Sequence, residues 1–117
     1  MEEPLMGNCI VVVQFDLPKR TEEQAVKGAT STAPIYRGLA AKGLIRKDYL
    51  NGEAGTGGVY LWETRALAEA WFTEDRIAEL TKRFGARPRL TWYDTHVTVD
   101  NQKSETRVNG KTLAEAD

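Results

Sequence analysis

His96 is the single histidine of the chain, and an imidazole that titrates near pH 6.5 is the natural proton carrier at neutral pH. Its spacing from Trp92 and Asp94 puts all three on one face of an extended strand. His96 is therefore a candidate catalytic base, against the plainer reading of a structural or solvent-facing side chain. Arg46 and Asp48 share a strand face in the same way. They read as a surface ion pair or, with Arg46 in a catalytic role, as a clamp for an enolate or carboxylate. Tyr36, Trp62, Trp71, Phe72 and Trp92 are candidate substrate-binding walls, although aromatics spaced as Trp71 and Phe72 are from Leu67 also read as core. Ala25, Ala29 and Ala33 lead to Tyr36 at helical spacing. Such a stripe means either close helix packing or space for a ligand over the sheet.

Other chemistries are excluded. With one histidine and one cysteine, Cys9, no Ser-His-Asp or Cys-His site can be assembled with assurance, and neither an internal disulfide nor a multi-cysteine metal site is available. Acidic and basic residues nearly cancel, 17 against 16, so composition supplies no basic face for nucleic acid. Gly52, Gly55, Gly57 and Gly58 lead into a strand. A phosphate-binding loop instead leads into a helix N-terminus. Lys82, Arg83, Arg87 and Arg89 follow a helix end, where positive charge complements the dipole.

The elements that position these residues follow in a clear order. Cys9-Ile10-Val11-Val12-Val13-Gln14-Phe15 is a β-branched run ended by Leu17-Pro18 and predicts a central strand. Thr21-Glu22-Glu23-Gln24 has the form of a capping box and predicts a helix to about residue 42, with a kink or break before Pro34. Two strands, residues 44–50 and 59–63, flank a glycine-rich loop, and a second helical stretch from Thr64 jogs at Thr73 and ends at Gly85. Residues 89–99 predict a long last strand. The result is one α+β domain, ferredoxin-like βαββαβ, with two helices on one face of a four-stranded antiparallel sheet. Its expected bounds are residues 8–101, after a short extension at 1–7 and before a polar segment at 102–117. That segment is either a flexible tail or an arm that packs on a partner, using Asn109-Gly110 as a turn. The strands carry apolar residues on both faces: Ile10 and Val12 against Val11, Val13 and Phe15, and Val59 and Leu61 against Tyr60 and Trp62. The uncovered face predicts a homodimer packed sheet to sheet. Met1-Glu2-Glu3-Pro4 is acidic where a secretory signal is basic, and the run Ile10-Val11-Val12-Val13 is too short to span a bilayer. With the lone cysteine, these features lead to the expectation of a cytoplasmic protein without membrane or nucleic-acid partners.

The segment Gly57-Gly58-Val59-Tyr60-Leu61-Trp62-Glu63-Thr64 with its alanine-rich helix resembles the YdhR-like putative monooxygenases of the dimeric α/β-barrel superfamily. Ala33-Pro34-Ile35-Tyr36-Arg37-Gly38 and Gly43-Leu44-Ile45-Arg46-Lys47 extend the likeness. The resemblance implies a dimeric α/β barrel and an oxygenase for a small aromatic or polycyclic substrate, with no metal or flavin cofactor. The substrate would lie between helices and sheet. A more distant likeness to haem-degrading members rests on Trp62-Glu63-Thr64 and Trp71, but Thr81 stands where those enzymes have the haem-ligating histidine. Only Trp71 is carried over, as a pocket wall. Three functions remain open: a cofactor-free oxygenase of a phenol or quinol, a cyclase or isomerase of a polyketide-like substrate, and a non-catalytic ligand-binding dimer.

Overall fold

β1, Asn8–Phe15, lies at the centre of a four-stranded antiparallel sheet whose order is β2-β3-β1-β4. The computed structural model describes residues 7–113. Alternation along β1 divides its side chains between two faces: Cys9, Val11, Val13 and Phe15 are buried, and Ile10 and Val12 are half-buried on the other side. β3, Gly55–Trp62, repeats the division, with Tyr60 and Trp62 buried and Val59 and Leu61 opposite them. Register aligns Val11 with Tyr60 on one side and Trp92 on the other, so these side chains share one face of the sheet. That face is the core, completed by Leu39, Leu44, Ala68 and Phe72. Trp62 is fully buried there, and its indole N–H has no hydrogen-bond partner among the described residues.

The helices follow their caps. α1, Glu22–Gly38, starts with both halves of the capping box, Gln24 N–H to Thr21 Oγ1 at 3.2 Å and Thr21 N–H to Gln24 Oε1 at 3.1 Å. It runs through Pro34 without the expected break. The proline removes one donor from an exposed stretch, where the carbonyl left behind is open to water. A 3-10 turn, Leu39–Lys42, then stops at Gly43 with φ 98°. The jog at Thr73 is present: α2, Arg65–Trp71, and α3, Glu74–Phe84, are separate helices with threonine N-caps at Thr64 and Thr73.

The hairpin of β2, Leu44–Gly52, and β3 is tighter than the glycine-rich loop suggests, because the two strands stay paired as far as Gly52 and Gly55. Glycine is what allows this. At Gly57, φ is 151° and a Cβ would lie 1.9 Å from the Val13 carbonyl oxygen, so only glycine lets β3 approach β1 there.

β4, Arg89–Thr95, is shorter than expected. The chain breaks at His96 and continues as β5, Val97–Asp100, which pairs with β6, Glu105–Val108, and through it with β7, Lys111–Thr112. Asn109 and Gly110, with φ of 49° and 81°, make the turn. Over the described residues the polar C-terminal segment is ordered into this small sheet, with its turn at Asn109-Gly110, and residues 114–117 lie outside them. Arg107 pairs with Asp100 at 3.5 Å and with Glu105, which holds the charged face of this small sheet together. No helix among the described residues is long and apolar enough to cross a membrane.

Candidate functional site

α1 contributes no buried side chain although it lies along the sheet. Its inner side is Ala25, Gly28, Ala29 and Thr32, and between it and the strands is a cavity of about 270 Å³. Of the two meanings of the small-residue stripe, space over the sheet is the one observed, for Ala25 and Ala29; Ala33 is not among the lining residues. The floor is Val13, Phe15, Thr56, Gly57, Gly58 and Tyr60, and Leu80, Arg83 and Phe84 close one side.

Lys47 lies within this cavity. A β-bulge between Leu44 and Arg46 shifts the register of β2, so that Leu44 is opposite Trp62 and Lys47 opposite Tyr60, both on the helix-covered face. The Lys47 ammonium is 3.4 Å from the ring centre of Tyr36, 4.0 Å from Tyr49 and 4.6 Å from Tyr60. Among the described residues no carboxylate forms a salt bridge with it. Burial without a counter-charge lowers its pKa to about 7. Gly58 makes room for the lysine stem, since a Cβ there would meet Lys47 Cε at 2.9 Å.

The tyrosines are ordered by one another. Tyr36 meets Tyr60 and Tyr49 edge-on, with centroids 5.7 and 6.1 Å apart, and the Tyr49 hydroxyl hydrogen-bonds with Thr32 Oγ1 at 2.8 Å. Burial, followed by the neighbouring Tyr36, raises the pKa of Tyr60 far above the ordinary phenol value, so it stays protonated. Burial also raises that of Tyr49, against the Thr32 hydrogen bond. The site thus holds an amine whose pKa is lowered to about 7 beside two phenols, Tyr49 and Tyr60, that burial shifts toward the protonated form.

Of the residues singled out from the sequence, Tyr36 lines this cavity. Trp62 and Phe72 are core, packed edge-on with centroids 6.1 Å apart. Trp71 is half-buried, edge-on to Tyr36 with centroids 6.5 Å apart, and the Arg76 guanidinium stacks over its ring at 3.4 Å. Trp92 packs on Phe72 at 6.0 Å. Arg46 faces the other side of the sheet, opposite Leu61, where it pairs with Asp48 at 2.8 Å. His96 is exposed at the β4–β5 break, with Nδ1 3.0 Å from Asn109 Oδ1. Thr95 is opposite Asn8, five strand positions from Val13, so His96 is about 16 Å of strand away from the cavity floor. The structure does not bring Arg46 or His96 together with the aromatic cavity. Sequence parity missed Lys47, and it missed Arg20, Tyr49 and Tyr60 as lining residues.

No protein-family model matches the chain, and no curated protein or solved structure matches it.

Proposed function

We propose that the protein is a cofactor-independent monooxygenase for a small phenol- or quinol-like aromatic bound between α1 and the sheet. One observation carries the reading: a lysine without a carboxylate partner, caged by three tyrosine rings in a cavity wide enough for fused aromatic rings. With a pKa of about 7, Lys47 is part neutral at physiological pH and takes the proton of the substrate hydroxyl. The resulting ammonium stays beside the phenolate and stabilises it. The phenolate is the electron donor to O2. For a ring methylene that enolises to a phenol, four electrons pass from carbon to one O2; one oxygen atom becomes the ketone and the other leaves as water. Tyr60, held protonated, is the available O–H donor at the same end of the site.

The test is oxygen consumption with anthrone-type and naphthalenediol substrates, wild type against Lys47→Met. Removal of the base is expected to lower the rate by about 100-fold or more, and the wild-type rate is expected to rise with pH through an apparent pKa near 7. Tautomer exchange without oxygen uptake would replace this reading with the isomerase or cyclase one, which uses the same lysine. Failure of any aromatic to bind would end both.

The working unit we propose is a homodimer joined through the rear of the sheet as a dimeric α/β barrel. Ile10, Val12, Val59 and Leu61 form an apolar patch there, and Tyr93 beside them is 54% exposed. A reducing compartment such as the cytoplasm suits the single thiol, Cys9, which is buried.

A further inference from the structure

The charged groups on the cavity wall are all of one sign. Arg20, Lys47 and Arg83 line it, and among its lining residues there is no aspartate or glutamate. Most other arginines have carboxylate partners: Arg46 with Asp48, Arg65 with Glu69, Arg87 with Glu74, Arg89 with Asp16 and Arg107 with Asp100. Among the described residues Arg20 and Arg83 have none. Each is held near the cavity by local structure. The backbone of Arg20 exchanges two hydrogen bonds with the Asn51 side chain, at 2.8 and 2.9 Å, which fixes the start of α1 to the end of β2. Its guanidinium then lies over Gly28, where an added Cβ would be 3.0 Å from Nη1. Arg83 leaves the last turn of α3 next to Phe84, whose ring packs on Phe15 with centroids 4.8 Å apart.

Asn51, which holds the Arg20 backbone, is opposite Thr56, and Lys47 is opposite Tyr60, so these two anchor points on β2 are four strand positions apart, about 13 Å. Phe15, Gly57 and Gly58 form an apolar, flat floor between them. A neutral phenol would use only the lysine end and leave Arg20 and Arg83 without an anionic partner. An elongated ring system with a hydroxyl at one end and an anion at the other would match both ends at once.

We infer that the ligand of this cavity is a hydroxylated aromatic carboxylate, its acid group held by Arg20 and Arg83 and its hydroxyl delivered to Lys47. The inference rests on the cavity being the substrate site, and it deepens that reading by naming the substrate class. Arg20 and Arg83 are then specificity-determining residues rather than catalytic ones.

The test compares 2-naphthol with 6-hydroxy-2-naphthoate by titration calorimetry at low and high salt, using wild type, Arg20→Gln/Arg83→Gln and Lys47→Met, each checked for folding by circular dichroism. The carboxylate is expected to bind wild type at least 10-fold more tightly than the naphthol. That advantage should shrink to under about 3-fold in the double arginine variant and at high salt. The larger loss in that variant should fall on the carboxylate and not on 2-naphthol. The glutamine changes leave the backbone bonds to Asn51 in place. Equal binding of the two probes, an advantage that survives the arginine changes, or no binding of either probe to wild type would overturn the inference. Tight, arginine-dependent carboxylate binding without oxygen uptake would keep the inference and reject the oxygenase. Turnover of neutral phenols with no carboxylate advantage would do the reverse.

Discussion

At Lys47 a single extra residue decides which side chain enters the cavity. Strict alternation from Leu44 would put Arg46 and Asp48 inside and Lys47 outside. The bulge between Leu44 and Arg46 reverses this and leaves the Arg46–Asp48 pair on the other face. The lysine then carries a pH signature in stability. Its pKa is lowered in the fold to about 7 from 10.5. Below pH 7 it is charged in both folded and unfolded chains, and the cost of burying the charge is felt in full. Between pH 7 and about 10.5 only the unfolded chain holds the proton, so stability rises with pH. Lys47→Met is therefore expected to be more stable than wild type by roughly 2–4 kcal/mol at pH 6, a gain that fades toward pH 10. Urea midpoints of both proteins at the two pH values check this; an equal gain at both would contradict a charged, desolvated Lys47. The bulge also explains what the sequence concealed. Aromatic candidates were legible as inward-facing, and Tyr36 is in the site, but alternation alone cannot reveal a bulge. Nothing in its spacing therefore marks Lys47, whereas the residue types of His96 and Arg46 mark them as candidates.

At the scale of elements, most boundaries follow from local signals that the sequence states openly: the Thr21 capping box, the Thr64 and Thr73 caps, and the Gly43 and Gly85 stops. What was not legible depended on partners distant in sequence. Residues 52–58 look like a loop by composition, and become strand because β1 and β2 pair with them. Residues 105–112 look too polar to order themselves, yet they gain backbone pairing and the Arg107 ion pairs. The elements also differ in how firmly they are held. β1 and β3 have buried residues along their length, whereas α1 has none and is tied to the rest through Tyr36, the Thr32–Tyr49 hydrogen bond and the Arg20–Asn51 bonds at its start. Amide hydrogen exchange should be faster in α1 than in β1 by orders of magnitude and should slow when an aromatic ligand fills the cavity. Thr21→Ala should cost about 1 kcal/mol, measured by thermal unfolding, and should speed exchange in α1 ahead of the rest. Uniform exchange across α1 and β1 would show that these ties hold the helix as firmly as burial holds the strand.

For the whole molecule, the two faces of the sheet have different duties. One holds the core and the cavity; the other presents Ile10, Val12, Val59, Leu61 and Tyr93 without helical cover. A charge at the centre of that second face tests the proposed pairing of subunits. Val12→Lys is expected to convert a dimer to a monomer in sedimentation velocity while leaving the far-ultraviolet spectrum unchanged. A wild-type protein that sediments as a monomer at micromolar concentration would refute the pairing. That both faces are apolar was readable from the strands, because period-two alternation needs only one strand at a time, whereas which face holds the cavity needed the three-dimensional gap beneath α1. That gap has a consequence for how such a protein can change over generations. Because the roof is a helix whose side chains bear little of the fold's stability, substitutions at Ala25, Gly28, Ala29 and Thr32 can reshape the cavity at small cost. The floor, by contrast, is tied to the core through Val13 and Tyr60. New ligand preferences would therefore be expected to arise on the roof, over a floor that stays the same.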